Sequence, residues 1–121
     1  MDIRKGTGSS VIYNIKGDDI REGNGSSVAL NIRGKKICKG NGSSGIMNVR
    51  GDKICKGTGS SVLYNIKGDD IREGTGSTVA FNIRGKKICK GNGSSALYNS
   101  TDGMNNEEIA AVLYAVGAIR A

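Results

Sequence analysis

The sequence predicts an all-β tandem-repeat protein that ends in one α-helix. Isoleucine recurs every 17 residues from Ile3 to Ile88, and a short segment rich in β-branched residues accompanies it in each unit. Gly-rich segments separate these elements, and no unit contains an insertion or a deletion. We therefore assign residues 2–103 to six 17-residue β-repeats and residues 104–121 to a C-terminal amphipathic helix.

Each unit contains a longer strand, a tight turn and a shorter strand. In the first unit the longer strand covers residues 11–15, and alternation places Val11, Tyr13 and Ile15 on one face. These positions are apolar in nearly every unit, so this face is the predicted core. Gly17-Asp18 predicts a tight turn, because glycine adopts the positive φ that suits its first central position, and a shorter strand with Ile20 follows.

Two architectures satisfy this pattern, an antiparallel hairpin meander and a β-solenoid of stacked coils. A two-residue hairpin would set Arg33 opposite Lys36, and two other units would repeat this repulsion. Stacked coils instead bring Asp18 beside Lys35 and align identical Asn side chains into ladders. We therefore predict a two-sheet β-solenoid of six 17-residue coils with a C-terminal capping α-helix, and the antiparallel β-hairpin meander is the alternative.

The final segment has the signals of a helix start. Asn105 is placed to cap the helix while Glu108 reaches back to it, and the acidic side chains complement the positive end of the helix dipole. One apolar stripe follows, formed by Ile109, Val112, Leu113, Val116 and Ile119. A stripe of this kind must be buried, so we expect the helix to cover the open end of the solenoid after its sixth unit.

Composition argues against an enzyme. The chain has a net charge of +7, 20 glycines and no histidine, which is the commonest general base and metal ligand. No nucleophile, base and orienting group can be assembled from the remaining residues, so we predict no catalytic residues and no cofactor. Cys38, Cys55 and Cys89 share one position in the unit, and without histidine they are interpreted as packing residues instead of a metal site.

The sequence also carries expectations about location. No apolar run is long enough to cross a bilayer, and the first residues lack the apolar segment of a signal peptide. Three cysteines, an odd number, fit a reducing compartment better than a disulfide framework. We therefore expect a cytoplasmic protein without a membrane partner.

The strings YNIKGDDIREGNGSS and VLYNIKG, followed by EEIAAVLYAV, resemble a group of small bacterial tandem-repeat proteins. Their units have the form I-[YR]-x-G-[NT]-S…V-L-Y-N-I-x-G, and they finish in a short amphipathic helix. The resemblance covers nearly the whole chain and implies no established activity. In that pattern an aromatic residue often follows the isoleucine of the unit. This chain has arginine or cysteine at that position instead, namely Arg4, Arg21, Arg72, Cys38, Cys55 and Cys89.

The leading hypothesis is a non-enzymatic structural or interaction module. It would self-associate as a homo-oligomer, or dock a protein partner, through the uncapped first coil, because unpaired strand edges recruit other chains. The residues of this predicted edge are Ile3, Val11, Tyr13 and Ile15.

The alternative is a polyanion or glycan bound along a repeated column. The basic column comprises Lys16, Arg33, Arg50, Lys67 and Arg84, and the loop column comprises Thr7, Asn24, Asn41, Thr58, Thr75 and Asn92. Nucleic acid is a less favoured partner, because the aromatic residues that would stack on bases are assigned to the core.

Overall fold

The computed structural model describes residues 1–120, which form twelve β-strands and one α-helix. The strands are β1 (Asp2–Lys5), β2 (Val11–Lys16), β3 (Asp19–Glu22), β4 (Val28–Arg33), β5 (Lys36–Lys39), β6 (Gly45–Arg50), β7 (Lys53–Lys56), β8 (Val62–Lys67), β9 (Asp70–Glu73), β10 (Val79–Arg84), β11 (Lys87–Lys90) and β12 (Ala96–Ser100). The helix, α1, spans Asn106–Ala115. Longer and shorter strands therefore alternate as the 17-residue repeat predicts.

A tight turn joins each longer strand to the shorter strand that follows it. Between β2 and β3 the turn is Gly17-Asp18, with Ile15 opposite Ile20 on the paired strands. Gly17 has a φ of +62°, which only glycine adopts without strain and which type II′ hairpin turns require at this position. The predicted turn is confirmed, and it produces an antiparallel hairpin.

The hairpins join into a closed barrel. Each strand pairs antiparallel with its neighbours in sequence, and β1 also pairs with β12, which closes the ring. Ile3 lies opposite Ser100 and Lys5 opposite Tyr98, the same register that Ile20 and Glu22 keep with β2. The sixth hairpin is thus assembled from the first and last strands. The prediction of a two-sheet β-solenoid is wrong, and the antiparallel meander is the correct local arrangement.

The charge argument for stacking overestimated the repulsion at a strand end. Arg33 does lie opposite Lys36. Its guanidinium turns outward, however, where Nε donates to the carbonyl of Gly42 at 3.1 Å and Nη2 donates to that of Asn41 at 3.2 Å. Both residues are exposed, and water screens charges there strongly enough that the pair does not decide the fold.

A β-bulge changes which residues of the longer strand face inward. Ile3 pairs with Tyr13, but the next residue, Arg4, pairs with Val11, so Ile12 is an extra residue. Val11 therefore faces outward with Arg4, whereas Ile12 packs against the core. The prediction that Val11 faces the core is wrong, and the same bulge recurs in all six units.

The helix begins as predicted. The side chain of Asn105 accepts a hydrogen bond from the Glu108 backbone N–H at 2.8 Å, and the Glu108 carboxylate accepts one from the Asn105 N–H at 3.0 Å. The predicted capping box is thus confirmed. The helix ends at Ala115, so the prediction that it continues through residues 116–120 is wrong. Val116 caps it, and the following Gly117 has a left-handed conformation.

Helix α1 lies inside the barrel instead of covering an open end. Its five consecutive residues from Ile109 to Leu113 are all at most 6% exposed, and because five residues exceed one turn, the helix is enclosed on every side. Glu107 contacts Lys35 in a hairpin turn at 3.3 Å, whereas the Ala115 carbonyl accepts a hydrogen bond from Tyr13 near the opposite rim. We call the rim with the two-residue turns the turn rim, and the other the loop rim.

The core lies between the barrel wall and this helix. The isoleucines of the 17-residue series are at most 1% exposed, and they join the helix residues in one cluster. The helix lies nearest β4, β5 and β6. The predicted end cap is wrong because a closed ring has no terminal coil, and the apolar helix side chains fill the interior instead.

Candidate functional site

The outer face of the barrel is organised by one asparagine in each hairpin. Asn31 Nδ2 donates to the carbonyls of Gly40 and Gly42 at 2.6 and 2.9 Å, so the loop after β5 folds back over the outer face. The same two bonds recur in every unit, and Asn99 makes them across the ring closure to Gly6 and Gly8. The Asn column therefore fixes loops, and the predicted ladder of stacked amides is wrong.

The hairpins are of two kinds, distinguished by the residue opposite this asparagine. Cys38 lies opposite Asn31, whereas Arg21 lies opposite Asn14, and each kind occurs three times. The three cysteines are completely buried, which agrees with their interpretation as packing residues. Within residues 1–120 no group of three or more Cys, Asp or Glu side chains is placed to hold a metal ion.

The predicted basic column becomes an arc around the turn rim. Each member is the last residue of a longer strand and is exposed, and the members are Lys16, Arg33, Arg50, Lys67 and Arg84. One shorter strand lies between successive members, so they are two strand spacings apart, or about 10 Å, which is twice the spacing expected for stacked coils. Thr101 occupies the sixth position, so the arc is open at the closing hairpin.

Three further lysines extend this arc. The strand pairing sets a lysine directly opposite each arginine of the column, and the pairs are Arg33–Lys36, Arg50–Lys53 and Arg84–Lys87. The sequence argument used these pairs only as evidence against hairpins and so missed the lysines as members of a surface. The signal was available, because a basic residue precedes Ile-Cys-Lys in each of these units.

The arginines of the arc are held in place by the loops. Arg50 Nε donates to Asn48 Oδ1 and to the Gly59 carbonyl, both at 3.1 Å, and Nη2 donates to the Thr58 carbonyl at 3.3 Å. Arg84 makes equivalent bonds to Gly93 and Asn92. Backbone carbonyls thus orient the guanidinium groups without neutralising them, so the surface keeps its positive charge.

The predicted self-association edge is not an edge in this fold. β1 is bonded to β2 on one side and to β12 on the other, and Ile3 is completely buried. Ile15 is 5% exposed, Tyr13 donates to the helix, and Val11 faces outward beside Arg4. A closed barrel leaves no unpaired strand edge among the described residues, so the physical basis for this site is removed.

The loop rim contains a different environment, built around tyrosines. A cavity of about 410 Å³ lies between Lys5, Tyr13, Tyr98 and the end of the helix at Ala115. Burial raises the pKa of the Tyr13 hydroxyl, and the charges of Glu22 and Tyr98 raise this pKa further. Burial together with Glu73 raises the pKa of Tyr64 in the same way. These tyrosines therefore stay protonated to higher pH than free tyrosine, and the Tyr13 hydroxyl donates a hydrogen bond to the Ala115 carbonyl at 2.9 Å.

A comparison with protein-family models matches residues 3–118 to a family described as 6-fold beta flower protein. The match includes all six hairpins and the helix, and it agrees with the tandem-repeat family that the sequence resembles. Neither the search of curated proteins nor the search of solved structures returned a match. Among residues 1–120, no helix is both long enough and apolar enough to cross a membrane.

Proposed function

Since the chain belongs to the 6-fold beta flower protein family, a structural repeat family with no known enzymatic activity, we propose that it is a non-enzymatic interaction module. Its partner is a polyanion, and the docking surface is the turn rim. The relevant side chains are the basic arc and the three lysines opposite its arginines.

The observation that carries this proposal is the set of like-charged pairs at the turn rim. Residues of equal charge that lie directly opposite each other in a sheet destabilise it. Two hairpins of the same barrel avoid this, because Lys16 lies opposite Asp19 and Lys67 opposite Asp70. The three Arg–Lys pairs therefore concentrate positive charge at the exposed turn rim that the fold does not require. A bound anion would neutralise this charge.

The partner is recognised through its charged groups instead of through aromatic stacking. Among the described residues no large hydrophobic side chain is exposed, so the turn rim offers no platform for bases. Arginine and lysine side chains bind phosphate and sulfate groups through charge-assisted hydrogen bonds. A polymer that carries phosphate or sulfate esters therefore fits this surface better than a base-specific nucleic acid site.

The alternative of self-association has less support. The first strand has both of its edges paired, and a net charge of +7 repels a second copy of the chain. We therefore expect a monomer in light scattering after size-exclusion chromatography. A stable dimer at low salt would favour self-association over polyanion docking.

The test compares two triple variants with the same change in net charge. Lys36, Lys53 and Lys87 begin the short strands at the turn rim, whereas Lys39, Lys56 and Lys90 end the same strands at the loop rim. Each set is replaced by glutamine, and binding to fluorescent heparin and to inorganic polyphosphate is measured by anisotropy. The turn-rim variant should lose most of its affinity, and the loop-rim variant should lose little.

Salt provides the second readout. The wild-type affinity should fall steeply between about 50 and 200 mM salt, because binding releases counterions from the polymer. Equal losses in the two triple variants would show that net charge alone is responsible, which contradicts docking at the turn rim. Absence of binding to either polymer would overturn the proposed function.

A further inference from the structure

Two open cavities lie on the outer face of the barrel in equivalent positions between neighbouring hairpins. One of about 400 Å³ lies between β5 and β6, and one of about 260 Å³ lies between β9 and β10. Their lining residues correspond after a shift of 34 residues, or two units, since Lys35 corresponds to Asp69 and Thr58 to Asn92. The repeat thus provides two grooves with one backbone and different side chains.

The two grooves have opposite charge. Lys35, Lys36 and Arg50 line the larger groove, and no carboxylate from residues 1–120 lines it. The smaller groove has Asp69 and Asp70 in the equivalent positions, with Arg84 as its one cation. The formal charge of the lining is therefore +3 in the larger groove and −1 in the smaller one.

A glycine lies beside the larger groove. Gly45 occupies a position where the other units have valine or alanine, namely Val11, Val28, Val62, Val79 and Ala96. A Cβ on Gly45 would lie 3.1 Å from Thr58 Cγ2 and 4.0 Å from Lys36 Cδ, so a larger side chain would press on two residues that line the groove. Glycine inside a strand costs about 0.5–1 kcal/mol and often marks the close approach of another group. Glycine at position 45 therefore leaves space between these residues and lowers the stability of the strand.

The donors in this groove are oriented and available. Arg50 is fixed by its bonds to Asn48, Thr58 and Gly59, and all of these use Nε or Nη2. In the described part of the chain neither Arg50 Nη1 nor Lys36 Nζ donates to a protein acceptor, while Lys35 Nζ contacts Glu107 at 3.3 Å. The Nη1 nitrogen of Arg50 and the ammonium group of Lys36 thus remain as donors for a ligand in this cavity.

We propose that the groove between β5 and β6 is a discrete oxoanion site, which binds one phosphate or sulfate ester of the polyanionic partner. The inference rests on the proposed function and adds that one groove, instead of the whole rim, provides the specific contact. The anion accepts hydrogen bonds from Arg50 Nη1 and Lys36 Nζ, whereas Lys35 is already paired with Glu107. The absent side chain at Gly45 leaves Lys36 and Thr58 free to adjust around the ester.

The test uses two variants that restore residues found elsewhere in the repeat. Lys36→Asp creates the pairing seen between Lys16 and Asp19, and Gly45→Val installs the residue of four other units, so both variants should fold. The matched control is Lys90→Asp, because Lys90 is an exposed lysine that ends β11 at the loop rim, outside the docking surface. It has the same change in charge as Lys36→Asp.

The probes are inorganic pyrophosphate and a sulfated heparin disaccharide, measured by titration calorimetry, with circular dichroism to verify folding. Lys36→Asp should weaken binding by about tenfold or more, because two unit charges change beside the anion. Gly45→Val should weaken it similarly without a change in charge, and Lys90→Asp should leave it within about twofold, because Lys90 lies at the opposite rim and salt screens its charge. The probe that binds more tightly identifies the ester as phosphate or sulfate.

The outcomes separate this inference from the proposed function. Equal losses for Lys36→Asp and Lys90→Asp, or full binding by Gly45→Val, would overturn the discrete site. The heparin and polyphosphate measurements on the two triple variants would then still decide whether the turn rim as a whole binds the polymer. If wild-type protein binds the polymers but neither small probe, the discrete site is also wrong, whereas loss of polymer binding removes both proposals.

Discussion

Replacement of asparagines tests whether the chain forms a ring or an open array. Asn65 lies in the middle of the sequence and donates to Gly74 and Gly76 at 2.7 and 3.1 Å. Asn99 lies in the last strand and donates to Gly6 and Gly8 at 2.6 and 3.2 Å. In a closed barrel Asn65→Ala and Asn99→Ala each remove two equivalent hydrogen bonds. The bonds of Asn99 differ only in that they join the last strand to the first loop.

The magnitude follows from these bonds. Each neutral hydrogen bond contributes about 1 kcal/mol net, and both asparagines are partly exposed, so each variant should lose about 1–2 kcal/mol. A loss of 1 kcal/mol lowers the Tm by roughly 4 °C for a domain of this size. The two variants should therefore agree with each other within about 0.5 kcal/mol.

The assay is urea unfolding followed by circular dichroism, with thermal unfolding as a second measure. Asn24→Ala is the control, because Asn24 is an exposed loop residue, and it should change stability by less than about 0.5 kcal/mol. If Asn99→Ala is neutral while Asn65→Ala is destabilising, the first loop is not held against the last strand. That result would refute the reasoning from ring closure.

Three other predictions follow from the core and the partly buried tyrosines. Ile3→Ala and Ile54→Ala each truncate a fully buried side chain, so each should lower the free energy of unfolding in urea by about 3 kcal/mol. A negligible loss for Ile3→Ala alone would mean that β1 is not docked in the barrel. Ala111→Leu should destabilise the protein by about 1–3 kcal/mol in thermal unfolding, because the barrel encloses this completely buried residue. Unchanged stability of this variant would mean that Ala111 lies on an open surface. The pKa values of Tyr13 and Tyr64 are raised in the folded state, so the stability they contribute is present below about pH 10 and is lost as the pH rises through their folded pKa values. The Tm should therefore decrease at alkaline pH, and replacing both tyrosines by phenylalanine should make this decrease smaller. An unchanged decrease would show that other groups cause it.

The local elements could be predicted from the sequence because their signals are local. The alternation around Tyr13, the glycine of the Gly17-Asp18 turn and the capping box of Asn105 each act within a few residues. The structure confirms the turn and the helix start, and it extends the longer strand by one residue to Lys16. The order of elements therefore followed from periodicity alone.

The topology did not follow, because one 17-residue unit has the same pattern in a stacked coil and in a hairpin. The deciding argument depended on Arg33 and Lys36, whose repulsion is relieved when the guanidinium turns to the loop carbonyls. The bulge at Ile12 was equally invisible, since an extra residue on one strand is defined only by its partner strand. Ring closure is likewise a property of all the hairpins together.

The position of the helix depended on small residues that an apolar stripe does not include. Ala110 and Ala111 lie off the predicted stripe, yet both are completely buried, because the helix has protein on every side. Alanine permits this close approach of the barrel wall. Its low hydrophobicity gave no indication from the sequence that these positions are buried.

The candidate site was only partly predictable. The basic column was found from its period, although the ring spreads its members twice as far apart as a solenoid would. The groove at Gly45 could not be found in this way, because its meaning depends on Thr58 and Lys36 from the strands and loops around it. A departure from the repeat consensus is the sequence signal that would have marked this position.

The pairing of β1 with β12 is tested most directly by nuclear Overhauser spectroscopy on labelled protein. The closed barrel predicts backbone cross-peaks between β1 and β12, with Ile3 beside Ser100 and Lys5 beside Tyr98. It also predicts none between Ile3 and Ile20, since β2 lies between their strands. Cross-peaks between residues 17 apart in sequence, without any between the first and last strands, would contradict the closed ring.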